Sequence, residues 1–600
     1  VGKIEYSWFA HHIGLSIIVA IIRKGIVSTP MHYRKNLPLL CALISSAAIL
    51  ALGVDIWFRN EAGNHLLWFQ NHPGFWDAVK YPGIINHYRP VAFLMLSVIY
   101  RLFGPAALPF VLANFIGFLF TLFSFYLLIR YRLGDTVAYF SLIALFPLFY
   151  HVLYYPFNAL HGIFYSWDVG WFCLAFYFFQ RSLEKGERRV THLILTLIFA
   201  LIAMGTHGFS GLTLAIVIGA YIVFHYKNFP RNRWLVAAAI AIPIFSLALI
   251  PILEPMGGQV LKTGAPLFPR MYLRYGLIAR IIMFPRLGPV IIGGITQTIA
   301  YYYFRRRGSL PLWGLSAAVI VFVLQHAFPL ATVQVALLTL MAAFLLLIVA
   351  KIGDLRVFAL MGLLGFLHYF IIRGESSNYL RYLVFGITPI IIFGILKIGA
   401  GILATLRRPL PTARSLPVWS AALTALTLVV IGLGLMDISG FSGPVRKIRY
   451  LCHLSQNFHD VVFQGTKLLP EDSHILLYLG DVPANNRAAA NRVQARDIAT
   501  MYTRAHLYNL RPAKVNEYRA YFYLAGRRDF RSNIIEHNPE LSPGETVYIM
   551  AFNIYEVLRT RTKFPTSELL YYVRRGQAEA AIFQLTVPAA YSSLDTLPTP

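Results

Sequence analysis

The chain has 600 residues, of which 57% are hydrophobic, 15% aromatic and only 13% charged, with a formal net charge of +27. A water-soluble globule of this length cannot hide so much apolar surface, and repeated apolar runs of about 18–22 residues predict a polytopic α-helical membrane protein. The basic residues fall in short loops between those runs, which argues for membrane lipid and lipid phosphate as partners and against nucleic acid.

Residues 1–36 form a cytoplasmic or interfacial segment. Its apolar run Ile13 to Ile22 is short, ends in Arg23-Lys24, and reads as interfacial or as part of an upstream element. The first full span is 37–54, LPLLCALISSAAILALGV, and it stops at Asp55. A first outer loop, 55–107, closes on His87-Tyr88-Arg89-Pro90 and continues into 91–107. That last piece holds Arg101 and breaks at Gly104-Pro105, so it is expected to lie along the membrane surface.

Further spans are expected at 108–129, 136–155, 164–180, 191–206, 209–226, 234–253, 288–304, 311–328, 332–350, 356–372, 383–403 and 417–436. With the first they make about thirteen transmembrane helices by the twenty-residue rule. With 91–107 on the surface, Arg130, Arg132, Arg181, Arg188, Arg189, Lys227, Arg305, Lys351, Arg356 and Arg407 all fall on one side. That side is the cytoplasm, and a crossing at 91–107 would invert every later loop. The outer loop 254–287 is the exception: Lys262, Arg270, Arg274, Arg280 and Arg286 stand against Glu254 alone. A positive cluster on the translocated side opposes the topology rule, so it is read as functional. Residues 37–436 thus form the transmembrane domain.

The tail, 437–600, is polar. It carries strand-like runs at His474–Leu479 and Thr546–Ala551 and helix-like runs at Ala488–His506 and Asn553–Arg561. It is expected to be a small extracytoplasmic α/β domain, periplasmic in a bacterial inner membrane protein. Cys41, Cys173 and Cys452 are far apart and suggest neither a disulfide framework nor a metal motif.

Candidate chemistry gathers at outer span ends. Asp55 is either a helix-ending interfacial acid or a general base whose basicity rises with desolvation and falls with nearby cations. His87-Tyr88-Arg89-Pro90 is either a loop-to-helix junction with Pro90 at the first helical position or a phosphate grip, with Arg89 as the fork and His87 as a further donor. Arg270, Arg274 and Arg280 either snorkel to headgroups or join that grip; the first two lie one helical turn apart. Asp168, in the turn Tyr165-Ser166-Trp167-Asp168, is either a helix-starting acid or a second site carboxylate that orients the acceptor or holds a cation. Tyr88, Trp167, His207, Arg373 and Arg381 are substrate-binding candidates, with Glu375 a simple partner for Arg381. Few ionisable residues lie deep inside the spans, so the chemistry is expected at the outer surface.

The stretch HYRPVAFLMLSVIYRLFGPAALPFVLAN resembles the YRP…LFG…N signature of the protein O-mannosyltransferase-like branch of the GT-C membrane glycosyltransferases, which includes the lipid A aminoarabinose transferases. The order of one helix, an outer loop with an early acid, surface helices, many further helices and an outer domain is similar as well. The resemblance implies Asp55 as base, Arg89 near the donor phosphate and Asp168 as the acid after the third span. It departs from relatives in having Val54-Asp55 where a pair of acids is common, and His87 to Arg89 in place of a Glu-Lys pair.

The expected function is transfer of a sugar from a polyprenyl phosphate to a hydroxyl of a glycan, lipid or protein acceptor, with inversion. The donor is pre-activated, so no nucleotide site is required, and Asp55 and Asp168 leave room for a divalent cation. Rival readings are an O-antigen polymerase or ligase, a lipid-linked-sugar flippase without bond chemistry, and a scaffold that binds cell-wall components.

Overall fold

The computed structural model describes residues 62–80, 89–153, 160, 162–184, 188–225, 275–276, 278–280, 282–283, 287–304, 312–371, 380–406, 443–471, 473–477, 531–533, 544–552, 557, 560–561, 564–576 and 578–587. Asp55, His87, Tyr88, Arg270, Arg274, Arg373 and the expected spans 37–54, 234–253 and 417–436 lie outside them.

Two short helices, α1 (Ala62–Asn71) and α2 (Phe75–Lys80), precede α3 (Pro90–Phe103). Pro90 occupies the first turn of α3, where its missing N–H costs no helical bond. Gly104, at φ 65°, ends the helix by donating its N–H to the Tyr100 carbonyl. Fourteen residues make a rod of about 21 Å, too short to cross a hydrocarbon core of about 30 Å upright.

The apolar runs that follow form α4 (Ala107–Leu133), α5 (Asp135–Leu153), α6 (Gly162–Ser166), α7 (Asp168–Ser182), α8 (Arg189–Thr206) and α9 (Gly208–His225). After them come α10 (Leu287–Phe304), α11 (Leu312–Ala327), α12 (Leu330–Lys351), α13 (Arg356–Ile371) and α14 (Leu380–Leu406). Helices α4, α8, α12 and α14 are long and apolar enough to cross a membrane. The chain is a helical membrane protein.

Every expected span within the described residues carries a helix. The span expected at 164–180 differs in being two helices, α6 and α7, with a bend at Trp167. Thr121 of α4 donates to the Ser166 carbonyl (2.6 Å), and Trp167 Nε1 donates to the Ala113 carbonyl (3.2 Å). These bonds to α4 hold the chain out of a continuous helix. The outer loop 254–287 also differs, because Ile278, Ala279, Ile282 and Met283 are buried in the bundle core.

Close helix crossings rely on glycine, as expected where lipid supplies no hydrophobic drive between helices. A Cβ on Gly394 of α14 would overlap the Gly294 carbonyl of α10, and one on Gly386 would overlap the backbone of Gly362 on α13.

The two ends of the bundle differ as the charge pattern predicts. Arg130, Arg132, Arg181 and Arg356 share one end, interleaved with Tyr131, Tyr221 and Phe224. Helices α3, α7, α9 and α14 begin at the other end.

The described part of the tail starts with α15 (Gly443–Phe463), which packs on a five-stranded sheet ordered β2-β1-β3-β5-β4. The strands are β1 (His474–Leu477), β2 (Arg531–Asn533), β3 (Thr546–Ala551), β4 (Glu568–Arg575) and β5 (Ala578–Thr586). β1 runs parallel to β2 and β3, while β3, β5 and β4 pair antiparallel. Arg575 ties β4 to α15 through Asn457 (2.7 Å) and Asp460 (2.5 Å). One buried apolar cluster joins Val461, Ile475, Met550 and Ile582 of this region to Ala62, Phe93 and Phe164 of the helical region.

Candidate functional site

Residues distant in sequence meet at the end of the bundle where α7 begins. Asp168 is the first residue of α7 and is fully buried. Its Oδ1 accepts the Val169 N–H at 2.7 Å and Arg381 Nε at 3.1 Å. Its Oδ2 accepts Arg381 Nε at 2.9 Å, Ser210 Oγ at 3.0 Å and Tyr382 OH at 3.4 Å, and forms a further close contact with Arg381 Nη2. Tyr382 also donates to Ser210 (2.7 Å). The start of α7 favours this carboxylate through its exposed N–H groups. The cost of burying both charges is offset by the fork geometry and by the surrounding hydroxyls.

A ring of aromatic side chains links this pair to the rest of the site. The Arg381 guanidinium lies 4.8 Å from the centre of the Tyr165 ring, and His207 stands 5.6 Å from the same ring, centre to centre. His207 is the buried residue that ends α8. Next to Tyr165, Phe164 carries the Arg89 guanidinium 4.9 Å above its ring. Arg89 is itself buried and stands immediately before α3 with non-helical backbone, φ −134° and ψ 67°. Phe164 packs edge-on against Phe93, and His65 of α1 completes the group. The short helix α6 therefore seats both guanidinium groups, one on each of two successive rings. Cation–π contacts of this kind stabilise by about 0.5–2 kcal/mol each.

Five of the residues selected from sequence thus converge: Arg89, Trp167, Asp168, His207 and Arg381. Trp167 holds the turn before Asp168, and its ring occupies the space that a Cβ on Gly117 would fill. Arg280 is exposed, and no hydrogen bond or ion pair joins it to this group among the described residues. Asp55, His87, Tyr88, Arg270, Arg274 and Arg373 lie outside the described residues, as does Glu375, the expected partner of Arg381. Among the described residues Arg381 pairs with Asp168, 213 positions away.

Sequence reasoning passes over Ser210, Tyr382 and Phe164. A lone serine in an apolar helix carries no signal of its own. Tyr382 had one, since it follows Arg381 at the start of a span.

Asp168 does not fit a cation ligand. Both oxygens already accept N–H or O–H donors, and the residue has no exposed surface. Among the described residues no three His, Cys, Asp or Glu side chains group as a metal site requires. What the arrangement can do is tie α7, α9 and α14 together through a neutral buried ion pair and seat the Arg89 guanidinium on the neighbouring ring.

No family model and no curated protein matches the chain. Among solved structures it is similar to ArnT from Cupriavidus metallidurans bound to undecaprenyl phosphate, at 13% identity and TM-score 0.42, covering 91% of this chain and 97% of that one. It is also similar to the archaeal oligosaccharyltransferase AglB from Archaeoglobus fulgidus in complex with an inhibitory peptide and a dolichol-phosphate, at 12% identity and TM-score 0.40, covering 93% and 77%. TM-scores below 0.5 make these loose likenesses, and they leave the family and the chemistry of the chain open.

Proposed function

We propose that the chain is a membrane glycosyltransferase of the GT-C type that moves a sugar from a polyprenyl phosphate to an acceptor hydroxyl. One observation carries the reading: residues chosen for phosphate and substrate contact, from 89 to 381, gather at one end of the bundle, opposite the basic end. That end is the outer face of a bacterial inner membrane, with the C-terminal region periplasmic and placed to select the acceptor.

The donor lies with its phosphate toward Arg89. The acceptor oxygen attacks the anomeric carbon from the face opposite the phosphate, the bond from that carbon to the phosphate oxygen breaks, and polyprenyl phosphate leaves. Asp55 takes the acceptor proton. The guanidinium of Arg89 stabilises the charge that develops on the departing phosphate without reorganising. Asp168 is a positioning residue here. Its oxygens are committed to Arg381, Ser210 and Tyr382, which leaves the base role to Asp55. No step runs through a metal ion.

Purified Asp55→Asn protein tests the mechanism. Donor binding and melting temperature should match wild type, while turnover falls by about 10²–10⁴, the usual contribution of a general base. Full turnover in that variant discards the mechanism. Sugar movement across vesicles with no new glycosidic bond discards the enzyme reading altogether.

A further inference from the structure

Helix α6 carries both arginine seats, yet it is only five residues long. A helix of that length has no stability of its own, because the first turn is the costly one to form. Its place is therefore set by what holds it from outside. Thr121 of α4 is buried and donates its hydroxyl to the carbonyl of Ser166, the last residue of α6, at 2.6 Å. That hydroxyl also lies close to α7, where a Cβ on Gly170 would meet it at 2.7 Å. Thr121 thus pins the end of α6 against the first turn of α7. Trp167, the next residue, adds a second tie to α4 through the Ala113 carbonyl.

A third tie runs through the rings. Tyr165 lies against the Arg381 guanidinium, which Asp168 holds through both carboxylate oxygens. Phe164 and Tyr165 stand edge to face, 6.3 Å apart with 77° between their planes. Phe93 of α3 meets Phe164 in the same manner at 5.3 Å. Edge-to-face pairs prefer a definite angle, so these two neighbours fix the tilt of the Phe164 ring.

Arg89 has its backbone anchored elsewhere. Its carbonyl accepts the Phe93 N–H at 3.0 Å as α3 begins. The opening turn of α3 rests on α8, where a Cβ on Gly205 would meet the Val91 side chain at 2.6 Å. What α6 governs is the far end of the side chain, where the guanidinium lies 4.9 Å from the centre of the Phe164 ring. A long side chain rooted in one element and seated on another has its charge directed by the second. A misplacement of about 1 Å at a reacting group can cost about a hundredfold in rate.

We propose that α6 directs Arg89 at the donor phosphate, with Phe164 and Thr121 as positioning residues. The inference rests on the transferase reading for the identity of that phosphate, and extends it to residues that touch no reacting atom. The Thr121 hydroxyl fixes the end of α6, α6 fixes Phe164, and Phe164 presents the guanidinium.

Binding of a polyprenyl phosphate and turnover of a polyprenyl-phosphate sugar, both by the purified full chain in nanodiscs, test the proposal. Arg89→Gln should weaken polyprenyl phosphate about tenfold. Thr121→Val keeps the shape and removes the hydroxyl, and should weaken binding by about three- to tenfold, while Thr121→Ser restores it. Phe164→Leu should weaken binding by about two- to tenfold, as loss of a cation–π seat implies. In the Arg89→Gln background neither Thr121→Val nor Phe164→Leu should weaken it further, because both act through that guanidinium. Thr196→Val, at a buried threonine whose hydroxyl bonds within α8, should leave binding unchanged. Should Thr121→Val fail to fold, Phe164→Leu carries the same comparison. Undiminished affinity in either folded variant, equal losses with and without Arg89, or wild-type binding in Arg89→Gln overturns the proposal. Binding that follows the expected pattern without any new glycosidic bond discards the transferase reading and leaves the positioning role standing.

Discussion

Asp168 and Arg381 are each unremarkable in sequence: one acid and one base at the starts of apolar spans. Their meaning lies in their union, because two charges at 0% and 3% exposure are tolerable only together. Removing one partner strands the other, so Arg381→Met should cost about 3–5 kcal/mol and lower the melting temperature in detergent. Asp168→Asn with Arg381→Gln should recover part of that loss. If either single variant melts like wild type, the pair is not what holds this end of the bundle. Arg89 lies with its guanidinium over the Phe164 ring. On the transferase reading, Arg89→Gln should raise KM for a polyprenyl-phosphate donor by about tenfold or more, the value of one charge-assisted hydrogen bond. The locations of Asp168, His207 and Arg381 were legible from the ends of apolar runs. The pairing was not, since periodicity says nothing about which of several outer residues meet across 213 positions.

At the scale of elements, the apolar runs determine helices almost by themselves, because every backbone polar group in hydrocarbon must be satisfied within its own segment. That explains why the described spans could be read from sequence to within a few residues. The bend at Trp167 could not be, since it depends on a tryptophan and a threonine bond to a different helix. Helix α15 was also missed. Its basic residues Arg446, Lys447 and Arg449 interrupt the apolar positions, so a search for continuous apolar runs passes it by, although its buried face packs on the sheet. Glycine contacts make a sharper prediction here. Gly394→Leu forces α14 away from the Gly294 carbonyl of α10 and should cost about 1–3 kcal/mol, as overpacking does. Gly219→Leu, where a Cβ meets open space, serves as the matched control. Equal melting of the two variants would show that the α10–α14 crossing has slack.

Over the whole molecule, three features share one end: the Asp168–Arg381 pair, Arg89 on its aromatic seat, and the apolar cluster joining the C-terminal sheet to α1 and α3. Ile582, fully buried in that cluster, should lose about 2–5 kcal/mol on truncation to Ala, read as early melting of the sheet. The charge bias between the ends was legible in the loops because it reflects a rule about insertion. The contact between tail and helices was not legible, because it depends on faces that only form once both parts have folded. The most direct test follows release of free polyprenyl phosphate from polyprenyl-phosphate sugars by the purified chain in nanodiscs with envelope extract as acceptor. The account predicts release coupled one-to-one to a new inverted glycosidic bond, lost in Asp55→Asn and much reduced in Arg89→Gln. Intact donor after prolonged incubation with folded, donor-bound protein, or release that persists in Asp55→Asn, would contradict it.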